Sequence, residues 1–227
     1  MSREAFIERL RTEGRARYHD KHPFHVRMHE GKLSKAQIRA WVENRYYYQT
    51  RIPIKDALIV SKSEDPEFRR RWIRRIHDHD DSGGGLELWE RLAEGVGLDI
   101  AKVRSLENVL PAVRFACDAY VTLVRERSLL EAVAASLTEF FAPDIMRTRI
   151  AAWEKHYPNW IDPSVLGYFR SRPEKATRDS GEALDYVAAH ATTRELEDEC
   201  VAALLTKCDI LWAMLDAIDH ATSMSTP

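Results

Sequence analysis

Apolar residues recur at three- and four-residue intervals along almost the whole chain, and no stretch alternates apolar with polar as a half-buried strand does. This periodicity constrains the fold more than any other feature, because only helices bury such a stripe continuously. The stop and start signals agree with it. Ser2 precedes a stripe of Phe6, Ile7 and Leu10. Ser34 with Gln37, and Ser128 with Glu131, have capping-box spacing. Asp65-Pro66 and Asp162-Pro163 pair an N-cap with Pro at the first helical position, and Pro111 opens another helix. Thr192 with Glu195 introduces the last stripe, which runs through Val201, Leu204, Cys208, Leu211, Leu215 and Ile218. Pro53 predicts a break or kink after the helix that carries Arg45 and Gln49, and Pro143 a kink in a long helix from Ser128 toward Trp153. Ser82-Gly83-Gly84-Gly85 reads as a loop, and the His-rich stretch from Tyr18 to Lys32 as irregular. Only 9 Gly and 9 Pro in 227 residues disfavour a many-turned β fold. The expectation is an all-α, compact single-domain helical bundle over residues 1–227, with about seven to nine helices and no internal linker.

Charge narrows the function classes. Lys and Arg total 34 against 36 Asp and Glu, so no overall basic field suits a nucleic-acid partner. No apolar run approaches the roughly 18–20 residues that cross a bilayer, and no signal-peptide core is evident, so no membrane partner and a cytoplasmic location are expected. Cys117, Cys200 and Cys208 are too scattered for a disulfide framework or a CxxC site and read as reduced core thiols. The basic residues are lopsided, with 25 Arg and 9 Lys. Such an excess fits either genomic bias or bidentate recognition of anions.

Several side chains could carry chemistry. Arg45 and Gln49, Arg75 and His79, and Tyr168 and Arg172 are each four apart and share a face where the chain is helical. Glu139, Met146 and Arg149 lie along one face of the predicted long helix. Each set also reads as an ordinary solvated face. Lys207 falls on the apolar side of the last helix, where it either finds a partner or snorkels to solvent. Tyr46, Tyr47 and Tyr48 are consecutive and diverge, so at most one or two face any one pocket. His77-Asp78-His79-Asp80 lacks ligand spacing for a helix, and neither HExxH nor a phosphate loop occurs, so no metal site is expected.

Taken together, these blocks resemble the pyrroloquinoline quinone synthase (PqqC-like) family. The likeness rests on Tyr18-His19 with His22-Pro23-Phe24-His25, Trp41 to Thr50, Ile52-Pro53-Ile54-Lys55-Asp56-Ala57, Arg75 to Asp80, Leu110 to Phe115, Ser136 to Pro143, Tyr168 to Arg172 and Lys207 to Trp212. It spans nearly the whole chain in order. The resemblance implies a bundle like haem oxygenase and the TenA thiaminases, usually a homodimer. It implies ring closure and O2-dependent oxidation of a polycarboxylated bicyclic precursor to pyrroloquinoline quinone (PQQ), with release of H2O2 and no metal, flavin or haem cofactor.

Carried over by position, the resemblance implies catalytic roles for His79, Tyr168, Arg172 and Lys207. It implies that Arg45, Lys55, Arg75 and Arg149 are charge partners of the carboxylates, with Gln49, Tyr120 and Glu139 as orienting groups and Tyr18 and His19 at the rim. Imidazole titrates near neutrality, which suits His79 as general base. A cation and a proton donor suit the reduced, anionic oxygen species near Tyr168 and Arg172. The chain departs from the family at Met146, where an active-site His is usual, and in a shorter Gly-rich loop at 81–85. Met cannot transfer a proton. Competing readings are an oxidase for another amino-acid-derived substrate, a di-iron relative, and a non-catalytic quinone carrier.

Overall fold

The computed structural model describes residues 2–224. Among them the chain forms α-helices and three 3₁₀ turns, with no strand. The α-helices are α1 (Arg3–Arg17), α2 (Pro23–His29), α3 (Lys35–Ser61), α4 (Pro66–Asp80), α5 (Gly85–Gly95), α6 (Ile100–Ser105), α7 (Pro111–Glu126), α8 (Leu129–Ala135), α9 (Ala142–His156), α10 (Gly167–His190) and α11 (Arg194–Ser223). Eight of these helices are long, as expected, and α2, α6 and α8 are additional short ones of six or seven residues.

The predicted caps work as hydrogen bonds. Ser2 accepts from the Ala5 N–H, and Asp65 accepts from Glu67 and Phe68. Ser34 with Gln37 and Ser128 with Glu131 close reciprocal capping boxes. The last helix is capped one residue later than expected, by Thr193 accepting from Leu196. The His-rich stretch is not irregular: His22 caps α2 by accepting from the Phe24 N–H, with Pro23 at the first helical position.

Pro53, Pro143 and Pro173 do not all interrupt the helices. Pro53 does not end α3, which continues to Ser61. Pro173 likewise lies inside α10. Pro143 marks more than a kink: a 3₁₀ segment, Ser136–Phe141, separates α8 from α9. There Pro143 occupies the first turn of α9, where a missing N–H costs nothing. The interruption turns Thr138 and Glu139 toward the interior of the bundle.

Helix α3 packs on α4, α5, α7 and α11, and α11 also packs on α1, α7 and α8. Helix α10 closes the assembly against α9, α8 and α5. Every α-helix contributes to one contiguous apolar cluster, with Trp41, Trp72, Trp89, Trp153 and Phe169 among its largest members. Cys117, Cys200 and Cys208 are free and buried within it, and burial raises each thiol well above its ordinary range. No helix among the described residues is long and apolar enough to cross a membrane.

Candidate active site

Six helices and the turn after α1 converge on a polar interior. It is divided into two lobes that share Tyr48, Ile52, Thr138, Glu139 and Arg172. One lobe is lined by Lys55, Arg75, His79 and Tyr120, and the other by Tyr18, His19, Arg45, Met146, Arg149 and Tyr168. Their cavities measure about 20 and 50 Å³, room for one to a few waters. A roomier cleft, about 310 Å³, lies elsewhere, between the start of α4 and the end of α10. Asp65, Glu182 and Asp185 line it together with Arg71 and His190.

The Glu139–Arg172 ion pair, 2.6 Å long, separates the lobes. Burial alone would raise Glu139, but Arg172, Lys55 and Arg75 outweigh it and hold the carboxylate below its ordinary range. Burial alone would lower Arg172, but Glu139 outweighs it and raises the guanidinium. In the first lobe the other cations are also compensated. Lys55 bonds to Asp56 at 2.6 Å, and Asp56 in turn accepts from the Trp72 indole at 2.8 Å. Arg75 lies 3.6 Å over the Trp72 ring and donates to the Asp179 carbonyl.

The second lobe differs. Arg45, Arg149 and the neighbouring Lys207 have no carboxylate within ion-pair distance among the described residues. Arg45 lies 4.1 Å over the Tyr48 ring and reaches Met214 sulfur. Arg149 lies 4.8 Å over Trp41 and donates weakly to Met146 sulfur and to His25 Nε2. Burial, then Arg45, pushes Arg149 down to about 9. Lys207 does not snorkel. It is wholly buried, packs on Tyr48 and Tyr120, and donates to the Tyr48 hydroxyl at 3.0 Å. Burial, then Arg45, lowers its amine well below the usual lysine range. An enclosed cation without a counter-charge is costly, so a lobe lined by half-buried Arg45 and buried Arg149 is complementary to an anion.

Tyr18 and His19 are not at a rim. Both are buried, at 4% and 3% exposure. His25 donates from Nδ1 to the His19 carbonyl at 3.0 Å, while its Nε2 accepts from Arg149 at 3.3 Å. Burial and the nearby arginines push both imidazoles well down, so they are neutral. Gln49 is fully buried behind the lobe, and its Oε1 accepts from the Tyr168 hydroxyl at 3.0 Å. It is therefore a support for Tyr168 rather than a lining group.

His79 is 3% exposed. Burial, then Arg172, pushes it down to about 3, so the ring is neutral near pH 7. Its Nε2 lies 3.0 Å from the Gln49 carbonyl. The opposite edge of the ring faces Gly85: a Cβ placed there would sit 2.6 Å from Nδ1. A Gly85→Ala substitution is therefore expected to displace His79 and destabilise the fold by about 1–3 kcal/mol through overpacking. Chemical denaturation measures this, and an unchanged midpoint would show that the ring moves aside freely.

The fourteen side chains expected at the site thus lie within this region, with Gln49 and Lys207 just behind it. Sequence reasoning missed Thr138, Ser136, Asp179 and the backing His25. It left open which of the three tyrosines faces inward. Tyr46 bonds Glu90 and Tyr47 bonds Asp118, leaving Tyr48 to the pocket. His25 and His29 share a face of α2, with rings 6.0 Å apart. Even so, no group of three or more His, Cys, Asp or Glu among the described residues is arranged to hold a metal ion.

Comparison with known proteins gives a consistent set of relatives. The model of the TENA/THI-4/PQQC family matches residues 7–217. A protein of Rhizobium rhizogenes named pyrroloquinoline-quinone synthase is 54% identical over 97% of this chain and 90% of its own length. One of the same name from Ruegeria pomeroyi is 53% identical over 96% of this chain and 91% of its own. Among solved structures, a domain of unknown function with a heme oxygenase-like fold from Shewanella denitrificans superposes with a TM-score of 0.77. It is 15% identical and covers 99% of this chain and 94% of its own. A TenA homologue from P. horikoshii OT3 superposes at 0.76, with 14% identity and coverage of 94% and 97%. The all-α bundle is thus the heme oxygenase-like fold.

Proposed function

Because the chain belongs to the TENA/THI-4/PQQC family, we propose that it is an oxidoreductase of PQQ biosynthesis. It catalyses the final ring closure and O2-dependent oxidation of a polycarboxylated bicyclic precursor, releasing H2O2 without a metal or organic cofactor. The names of its relatives support the pathway. The observation that carries the substrate class is the pair of Arg45, half-buried, and Arg149, buried, which line one lobe without carboxylate partners, with the buried Lys207 behind them. Substrate carboxylates supply the missing counter-charge, and guanidinium forks suit them bidentately.

In this reading His79 is the general base, taking and returning a substrate proton. Its Nδ1 edge faces Gly85, which leaves room beside the ring because it has no side chain. A bicyclic ligand does not fit lobes of 20 and 50 Å³, and its entry separates Glu139 from Arg172. Arg172 is then free to pair with a ligand anion or with reduced oxygen, beside the Tyr168 hydroxyl. Lys207 stands behind the Tyr48 hydroxyl and donates a hydrogen bond to it. Met146 transfers no proton; its sulfur supports Arg149, so proton transfer falls to the remaining groups. The enzyme acts as a cytoplasmic homodimer.

The test is incubation of the protein with the bicyclic precursor in air. Appearance of the quinone chromophore together with H2O2 is the expected result. Tight quinone binding without turnover would identify a carrier instead. Stoichiometric iron, with activity lost on chelation, would overturn the cofactorless mechanism.

A further inference from the structure

We propose that Pro53 is a positioning residue: by withholding a backbone N–H from the Gln49 carbonyl, it makes that carbonyl the acceptor that holds His79 with its proton on Nε2. In an α-helix the N–H of residue 53 would bond the carbonyl of residue 49. Proline has no N–H, and its ring pushes that carbonyl aside. Helix α3 nonetheless runs through the half-buried Pro53, one turn after the fully buried Gln49. A carbonyl left there without a donor costs about 1–3 kcal/mol. His79, from α4, supplies the donor at 3.0 Å.

A carbonyl oxygen only accepts, so the proton of neutral His79 is on Nε2 and the lone pair on Nδ1. The Nδ1 edge lies against Gly85. Pro53, remote in sequence, and Gly85, six residues on, thus define both edges of the His79 ring, one by lacking a donor and one by lacking a side chain. Capture of a proline-freed carbonyl is not automatic. Pro173 frees the Phe169 carbonyl inside α10 in the same way, and that carbonyl receives no side-chain donor among the described residues. The arrangement at Pro53 deepens the reading of His79 as general base, because it selects which nitrogen is basic.

Heteronuclear NMR of the full chain with labelled histidine reads the tautomer directly, with His79 identified by the signal lost in His79→Gln. In the wild type, the Nε2–H form should exceed the other by more than about tenfold, the ratio an ordinary hydrogen bond sustains. In Pro53→Ala the restored N–H closes the helical bond and competes for the carbonyl. The tautomer ratio should then fall below its wild-type value, while thermal stability holds or rises. A wild-type spectrum showing the Nδ1–H form overturns the proposal, and so does a Pro53→Ala spectrum identical to wild type. The wild-type spectrum decides alone if the variant fails to fold. Were the tautomer to change in Pro53→Ala with turnover unaffected, the positioning role would stand and the assignment of His79 as base would fail.

Discussion

Turnover of the bicyclic precursor should fall by about 10²–10⁴-fold when His79 is replaced by alanine, the range that a positioned general base contributes. The expectation rests on three features of the ring. It is neutral near pH 7, because burial and Arg172 oppose its protonation. It is held through Nε2 by the Gln49 carbonyl, so its lone pair has one location. It lines the lobe that also holds Lys55, Arg75 and Tyr120. Alanine removes the base and also leaves the Gln49 carbonyl without a donor, so a stability loss of about 1–3 kcal/mol accompanies the loss of rate. Quinone affinity separates the two effects. The cations of the other lobe are untouched, so product should bind within a few-fold of wild type while the chromophore forms slowly. Unchanged turnover in His79→Ala would remove the base assignment.

Acidification should destabilise the protein well before its carboxylates titrate. His19, His25 and His79 are buried and neutral, each pushed down mainly by burial and then by neighbouring arginines. In the unfolded chain the same imidazoles titrate near pH 6.5. Below that pH the unfolded state takes up protons that the folded state refuses, so stability falls with each step toward acid. At pH 5 the loss is about 2 kcal/mol for each such histidine, and roughly several kcal/mol for the three together. Denaturant midpoints at pH 7 and pH 5 check this. His25→Leu should flatten the dependence, because one proton-refusing group is gone. Equal wild-type midpoints at the two pH values would show that the folded state accommodates the imidazolium forms.

Much of the architecture was legible because it is encoded over three or four residues. Ser34 with Gln37, Ser128 with Glu131, and Asp65 with Pro66 need no tertiary partner to cap a helix. The site was legible by resemblance as a set of residues, but their arrangement was not. Tyr18 and His19 looked like rim residues, yet the turn after α1 carries them inward. Lys207 had a snorkelling alternative, which only the stacking of Tyr48 and Tyr120 against its ammonium excludes. The 3₁₀ break before Pro143 was masked by a helical pattern that continues on both sides of it.

The arginine excess divides in the same way. Arg71 and Arg74 pair with Glu67 and Glu182 on exposed surface, as their clustered spacing suggests. Arg45, Arg75, Arg149 and Arg172 come from four helices, and their shared enclosure depends on how those helices pack. By itself the sequence determined the helices, their caps and the apolar face each one buries, because these follow from hydrogen bonds and periodicity within a few residues. The tertiary structure alone decided which cations keep a carboxylate partner and which nitrogen of His79 carries its proton. Both depend on desolvation and on contacts between residues as distant in sequence as Gln49 and His79.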